Sequence, residues 1–346
     1  MLSSLRDPEW QRGETRGMRG RGGLRQPDRL RHLRLRGRVR IGRGWLRILF
    51  EMKPRVAITA GDPAGIGPEI ALKAASDANV REICEPVIYG PHTDADLARF
   101  TRGRVSGAAG RAAYDAVVAA VTDALDGHVQ AIATAPINKE AFAEAGLRWK
   151  GHTDLLAHLT GAASGVMMFY SDVLRVVLAT VHIPLADVPH AVTRELIEET
   201  VRLTARELPR FGHSSPRLAV AGLNPHAGEN GLLGSEDESR LRPAIDACAA
   251  DGVDVRGPFP ADTIFLRAMR GEFDAVIACY HDQGLIPVKM AAFGKAVNVT
   301  LGLSIIRTSV DHGTAFDIAG QNIADAGSMI EAVKLAARLA RSARAA

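Results

Sequence analysis

The chain is bounded first by what it has little of. Aromatic residues make up only 5% of its 346 positions, so its core must be built mainly from Ala, Val, Leu and Ile. No apolar run reaches the roughly 18 residues that a membrane-crossing helix needs, so no membrane span is expected. The longest candidate, Ala278–Ala292, is broken by His, Asp, Gln, Gly, Pro and Lys. Cysteine is scarce: Cys84, Cys248 and Cys279 are far apart, odd in number and without CxxC spacing. This argues against a disulfide framework or a cysteine zinc site and fits a reducing cytoplasm. Cys279 reads as a small buried hydrophobe. No GxGxxG follows the first apolar strand, so a Rossmann cofactor site is not supported.

Charge is unevenly divided. Residues 1–51 hold 14 Arg, no Lys and 5 acidic residues, a net of +9. The remainder holds 29 basic and 34 acidic residues, a net of −5. The basic balance therefore belongs to an Arg/Gly-rich tail without sustained periodicity, which reads as disordered. Met52 begins MKPRVAIT, a fresh start running straight into a strand, so the tail reads as translated upstream sequence. An RNA- or membrane-surface-binding segment is the competing reading of the tail. The acidic body and its histidines serve no such purpose, so nucleic acid is not the expected partner.

From Arg55 onward, short apolar runs alternate with helical patterns. RVAITA, PVIYG, VQAIATA, RVVLATV, RLAVAGL and DAVIACY read as strands covered on both faces. GPEIALKAAS, GRAAYDAVVAAVTDALDG, TRELIEETVRLTARELPRFG, SEDESRLRPAIDACAADG and SMIEAVKLAARLARSARA show helical spacing. Thr193 and Ser235 are expected N-caps, and Gly127, Gly212 and Gly252 expected stops. The pattern predicts an α/β protein on a largely parallel sheet.

Ligands in such sheets sit at the carboxyl ends of strands. RVVLATV ends in His182, RLAVAGL runs into Asn224-Pro225-His226, and DAVIACY ends in His281-Asp282. For any one histidine, a satisfied residue at a strand end is the simpler account. Three at equivalent positions point to a divalent metal with open positions for substrate. His152 lies where a helix begins, in KGHTD, a place that attracts anions, though a plain cap explains it equally. Arg307 sits in an apolar segment and needs an anionic partner, either an internal carboxylate or a substrate phosphate. His158, at helical spacing, reads as structural.

Two segments resemble the isocitrate and isopropylmalate dehydrogenases: GDPAGIGPE is similar to their GDGIGPE start, and HGTAFDIAG to their HGSAPDIAG loop. That loop holds the adenosine of NAD in the group, which implies cofactor contacts from His312, Gly313, Thr314 and Asp317. An acid at Asp317 would repel a 2′-phosphate, so NAD is preferred over NADP. With TAPINKEA, KGHTD, LATVHIPL, GLNPHAGENG, PADT, YHDQGLIPVK, VNVTLGL and IRTSVDHGTAFDIAG, the body resembles the 4-hydroxythreonine-4-phosphate dehydrogenase family of the vitamin B6 pathway.

The resemblance implies two α/β domains around a cleft, isocitrate/isopropylmalate dehydrogenase-like. The first would take residues 52–145 plus 300–346 on the nucleotide side, and the second 146–299 on the metal and substrate side. It implies an NAD-linked, metal-dependent oxidation of a phosphorylated hydroxy acid with loss of carbon dioxide. His182, His226 and His281 match the metal ligands, with zinc favoured and magnesium, manganese or cobalt as alternatives. His152, Thr153, Lys289, Asn298 and Arg307 match substrate-binding residues. Asp262 and Asp282 match acids near the substrate, and Lys289 or Asp282 is the expected proton relay. A homodimer is implied, with His281 serving the partner's site.

The chain departs from the family between PVIYG and GRAAYDAVVAAV, where it is short. It also departs at Gly-Gln-Asn after DIA and at Ser304. Relatives act on threonate or erythronate 4-phosphate, or on aromatic cis-dihydrodiols. The dihydrodiol branch lacks the GHT and IRTS pattern present here, which favours a phosphorylated substrate.

Overall fold

The computed structural model describes residues 53–163 and 165–345. The expectations for residues 1–51 lie outside the described residues. Ten strands form a single sheet: β1 (Arg55–Thr59), β2 (Glu85–Tyr89), β3 (Ala131–Thr134), β4 (Val166–Tyr170), β5 (Arg175–Leu178), β6 (Leu218–Ala221), β7 (Val255–Phe259), β8 (Ala275–Ala278), β9 (Val297–Leu301) and β10 (Arg307–Ser309). Their order is β2-β1-β3-β10-β9-β4-β5-β8-β6-β7. The outer blocks β2-β1-β3-β10 and β5-β8-β6-β7 are each parallel. The joins β10–β9, β9–β4 and β4–β5 are antiparallel. Three reversals mean that the two parallel blocks run in opposite directions.

The α/β class holds, and the largely parallel sheet needs a correction at its centre. Sequence pattern misses VMMFY, VRGPF, VNVTL and RTS. The first and third supply the antiparallel middle, the second carries Gly257-Pro258, and the last is only three residues long.

Side chains alternate between the two faces of a strand, and here the faces differ. On one face Val56, Ile58, Ala133, Val299, Met168, Val177, Ile277 and Val220 belong to one uninterrupted core. It is closed by the helices Gly67–Ser76, Arg194–Glu207, Arg242–Ala250 and Gly327–Ala345. On the other face the core splits in two. Ala57 and Ile132 pack with the helices Gly107–Leu125 and His152–Thr160. Phe169, Val176, Leu178, Val276 and Ala278 pack with the helices Ala261–Met269 and His281–Ala292. Between these two cores the sheet shows a polar strip. Thr59, Thr134, Ser309 and Asn298 pair side by side across β1, β3, β10 and β9, and Arg307 and Thr300 occupy the neighbouring positions.

Helix ends follow local chemistry. Ser106, Asn138 and Thr193 accept hydrogen bonds from backbone amides three residues on. Gly212 ends its helix at a φ of 94°. Ser235 does not cap. The chain there opens as the π-turn Asp237–Leu241, whose first residue accepts through its carboxylate from the amides of Leu223 and Asn224. Among the described residues, no helix is long and apolar enough to cross a membrane.

The stretch HDQGLIPVKMAA, which follows the strand tip at Tyr280, is a helix, His281–Ala292, despite its glycine and proline. Gly284 acts there by close approach rather than by turning. A Cβ on it would lie 2.6 Å from Leu178 Cδ2 and 2.8 Å from Val176 Cγ1. The missing side chain lets the helix lie directly on β5. Replacing Gly284 with Val should therefore lift the helix and cost about 1–3 kcal/mol, read as a lower Tm in thermal unfolding. An unchanged Tm would contradict the close contact.

Candidate active site

The polar strip holds the site's most unusual charge. Arg307, the first residue of β10, is only 3% exposed. Its Nη2 donates to Thr134 Oγ1 at 2.7 Å and its Nη1 to Thr300 Oγ1 at 2.9 Å. Its Nε has no partner. No carboxylate among the described residues pairs with it, so burial alone pulls its pKa down to about 9. A buried guanidinium bonded only to hydroxyls remains uncompensated. The internal-carboxylate reading of Arg307 therefore fails, and an anion from outside becomes the natural partner.

His152 begins the helix His152–Thr160, whose N-cap is Gly151. The Asp154 side chain accepts from the Gly151 amide at 2.9 Å, which fixes the turn. His152 Nε2 is out of solvent and unpartnered. Burial holds its pKa well below the ordinary imidazole range, and the Arg307 charge adds to the shift. Asn298 Oδ1, also buried and unpartnered, comes from β9 on the same strip. Thr153 is the next residue of the helix start. Thus Arg307, His152, Thr153 and Asn298 are brought together around unsatisfied polar atoms. His158 stacks on Trp149 with ring centroids 4.5 Å apart, as a structural residue would.

The three histidines follow β5, β6 and β8, which are mutually parallel, so they share one sheet edge. His182 and His281 face each other with ring centroids 5.6 Å apart. Burial lowers the His182 pKa, helped by Lys139 and His281. His281 Nδ1 lies 2.7 Å from Asp282 Oδ1, a pairing that would leave Nε2 free to ligate. His226 is turned to Glu229, with Nδ1 3.5 Å from Oε2. Within one chain, among the described residues, no group of three or more His, Cys, Asp or Glu is disposed to hold a metal ion. Two imidazoles at this spacing, one with a carboxylate behind it, nevertheless fit a divalent metal as a partial set.

The turn carrying His226 is strained and tied down. His226 and Ala227 have φ of 52° and 54°, left-handed values that cost about 1–3 kcal/mol for a non-glycine residue. Asp237, fully buried, holds the turn by accepting from the amides of Leu223 and Asn224 and from Asn224 Nδ2, all within 3.0 Å. Sequence reasoning missed Asp237, Thr134 and Thr300. The signal for the two threonines was present as polar residues in otherwise apolar strands.

The two loops with dehydrogenase-like motifs meet. Ile66 N donates to Thr314 O at 3.0 Å, and a Cβ on Gly65 would lie 2.7 Å from the same oxygen. His312, Gly313 and Asp317 are exposed beside this junction, and Thr314 is half-buried within it. Asp262 lies in the first turn of the helix Ala261–Met269 and is exposed. Lys289 is not brought to Arg307. It shares an exposed helix face with Asp282, Ile286 and Phe293, spaced three or four residues apart.

Comparison with known proteins places this geometry in context. A family model described as pyridoxal phosphate biosynthetic protein PdxA matches residues 56–336. A 4-hydroxythreonine-4-phosphate dehydrogenase of Geobacter metallireducens is 44% identical over 331 residues, covering 84% of this chain and 96% of the relative. A D-threonate 4-phosphate dehydrogenase of Cupriavidus necator is 42% identical, covering 83% and 97%. The crystal structure of 4-hydroxythreonine-4-phosphate dehydrogenase from Klebsiella pneumoniae superposes with a TM-score of 0.77 at 39% identity, covering 84% of this chain and 99% of that one.

Two measurements probe the strip. Arg307→Met removes an uncompensated buried charge, so ligand-free Tm should hold or rise, in keeping with the gains of about 1–4 kcal/mol seen when buried ions are replaced by apolar residues. A fall of several degrees would indicate an internal partner. The His152 pKa is lower folded than unfolded, so the unfolded chain takes up the proton first as pH falls. Its contribution to stability should be intact above the unfolded value of about 6.5 and lost progressively below it. Denaturant unfolding at several pH values should show a shallower acid-side loss in His152→Gln, and an identical slope would contradict the burial.

Proposed function

The chain belongs to the PdxA family of pyridoxal phosphate biosynthetic proteins, and we propose that its substrate is 4-(phosphooxy)-L-threonine, oxidised and decarboxylated to 3-amino-2-oxopropyl phosphate with NAD. It is a dehydrogenase acting on a CH–OH group. The observation that carries the substrate reading is Arg307, a buried cation without an anionic partner among the described residues, beside the unpartnered His152 Nε2. A phosphate monoester fits there. It would accept from Arg307 Nε, from the His152 ring and from the helix start at Thr153, with the Asn298 amide beside them.

The reacting hydroxyl would then lie toward the histidine edge. His182, His281 and His226 would hold a divalent metal, with zinc favoured by an all-imidazole set and magnesium, manganese or cobalt as alternatives. When bound, that metal supplies Lewis-acid polarisation of the substrate oxygens. Asp282 would orient His281 by accepting from Nδ1–H, which leaves Nε2 free to ligate. This supports Asp282 first as a positioning group, with Asp262 and Lys289 as the remaining acid and base candidates. The chemistry requires a proton to leave the hydroxyl and another to return to carbon after carbon dioxide departs, which side chains of these types can carry.

NAD is assigned to the junction of residues 61–66 with 312–317, where it would supply the hydride acceptor. Asp317 favours NAD over NADP. The domain division proposed at 52–145 with 300–346, and at 146–299, matches the two cores on the split face except for the segment around the helix His152–Thr160, which packs with the first core. A homodimer is supported by the helix His281–Ala292. Its exposed face carries Ile286, Met290 and Phe293 beside Asp282 and Lys289. A second copy covering that apolar row would bring Lys289 to a site that its own chain does not offer it. The cytoplasm is the compartment consistent with three free buried cysteines. The second reading, D-threonate or D-erythronate 4-phosphate as substrate, is favoured by the similar identity to the Cupriavidus necator relative.

NADH formation from the three phosphorylated acids, with and without chelator, should give the highest kcat/KM for 4-(phosphooxy)-L-threonine. Activity should vanish on metal removal and return with zinc. His226→Ala should lower metal affinity or activity by at least about 10–100-fold. A preference for D-threonate 4-phosphate would select the second reading. Full activity in verified metal-free protein would refute the metal role.

A further inference from the structure

Lys139 opens the short helix Lys139–Glu144 that follows β3. Its stem reaches the start of the helix His152–Thr160, where a Cβ on the N-cap Gly151 would lie 3.8 Å from Lys139 Cε. Its charge is also felt at His182. Lys139 therefore stands at the helix start that carries His152, on the way to the His182–His281 pair. Its side chain is exposed. Lys73 pairs with Glu69 and Lys334 with Glu331, but among the described residues Lys139 has neither a carboxylate partner nor a hydrogen-bond acceptor.

An unpaired ammonium beside an anion pocket has a chemical purpose. Arg307 is fixed in the floor by Thr134 and Thr300 and offers Nε upward. A phosphate dianion seated there carries charge that one guanidinium does not balance, and its outer oxygens would face the cleft. A lysine is a compact point charge on a flexible stem, able to follow a ligand into place. Resting on the phosphorylated-substrate reading above, we infer that Lys139 is a further substrate-binding residue, closing over the outer oxygens of the phosphate that Arg307 holds from below. It makes the pocket selective for a dianionic end group, and it binds rather than carries out the chemistry.

The test is isothermal titration of NAD-free protein with 4-(phosphooxy)-L-threonine and, separately, with inorganic phosphate. Wild type, Lys139→Met, Lys139→Arg and Arg307→Met are compared, each with its Tm. Lys139→Met should weaken both ligands by about tenfold or more, the scale of one desolvated charge pair, with Tm unchanged. Lys139→Arg should recover most of the loss. In turnover, KM should rise while kcat stays within a few-fold. Equal affinity in wild type and Lys139→Met, with Arg307→Met impaired, overturns the role of Lys139 alone. A fall in kcat at unchanged KM overturns it too, by making Lys139 a group of the chemical step. A wild-type protein that binds neither ligand overturns the phosphate reading and this inference with it.

Discussion

A guanidinium buried among hydroxyls governs how this molecule is arranged. Arg307 contributes a charge to the middle of a ten-stranded sheet, where the cost of desolvation is high and the described residues offer no counter-ion. The surroundings adapt to it. Thr134 and Thr300 orient it, and Ser309 bonds to Thr134 at 2.9 Å. The hydrophobic core on that face divides into two clusters, and the strip lies between them. The opposite face, which has no such charge, keeps one continuous core and supplies the rigidity that holds the strip in place. The polar strip is a consequence of strand alternation. The same strands that bury Val299 and Ala133 on one side must present Asn298, Thr300 and Thr134 on the other.

The opposed directions of the two parallel blocks explain why the site has two parts. The strand ends that carry His182, His226 and His281 belong to the block β5-β8-β6-β7. The loops that follow β1 and β10 belong to the other block. The antiparallel pair β9–β4 joins the two blocks, and Asn298 and Arg307 come from β9 and its neighbour β10. A ligand bound across the strip would therefore contact both halves at once. The exposed row Ile286, Met290 and Phe293 lies along and just beyond the helix that begins at His281.

Much of this was legible before any coordinates. Strand tips ending in VHIPL, NPHAG and YHDQ pointed to one sheet edge, and there the structure brings His182 and His281 within 5.6 Å, centroid to centroid. Arg307 stood out because a charge inside IIRTS demands compensation. Other features were hidden for physical reasons. VMMFY and VNVTL form the antiparallel centre, a pairing that short strands do not announce. Asp237 acts through backbone amides 13 and 14 residues away, which no local pattern predicts. Gly284 and Pro287 read as breakers, yet both lie inside a helix. At Gly284 the reason is contact with β5, and in the helix Lys289 stands on the exposed face.

The most direct measurement is a crystal structure with 4-(phosphooxy)-L-threonine bound. The account predicts the phosphate on the polar strip, within hydrogen-bonding distance of Arg307 Nε and His152 Nε2, with the hydroxyl directed to the His182–His281 edge. A phosphate bound elsewhere, with Arg307 still contacting only Thr134 and Thr300, would contradict it.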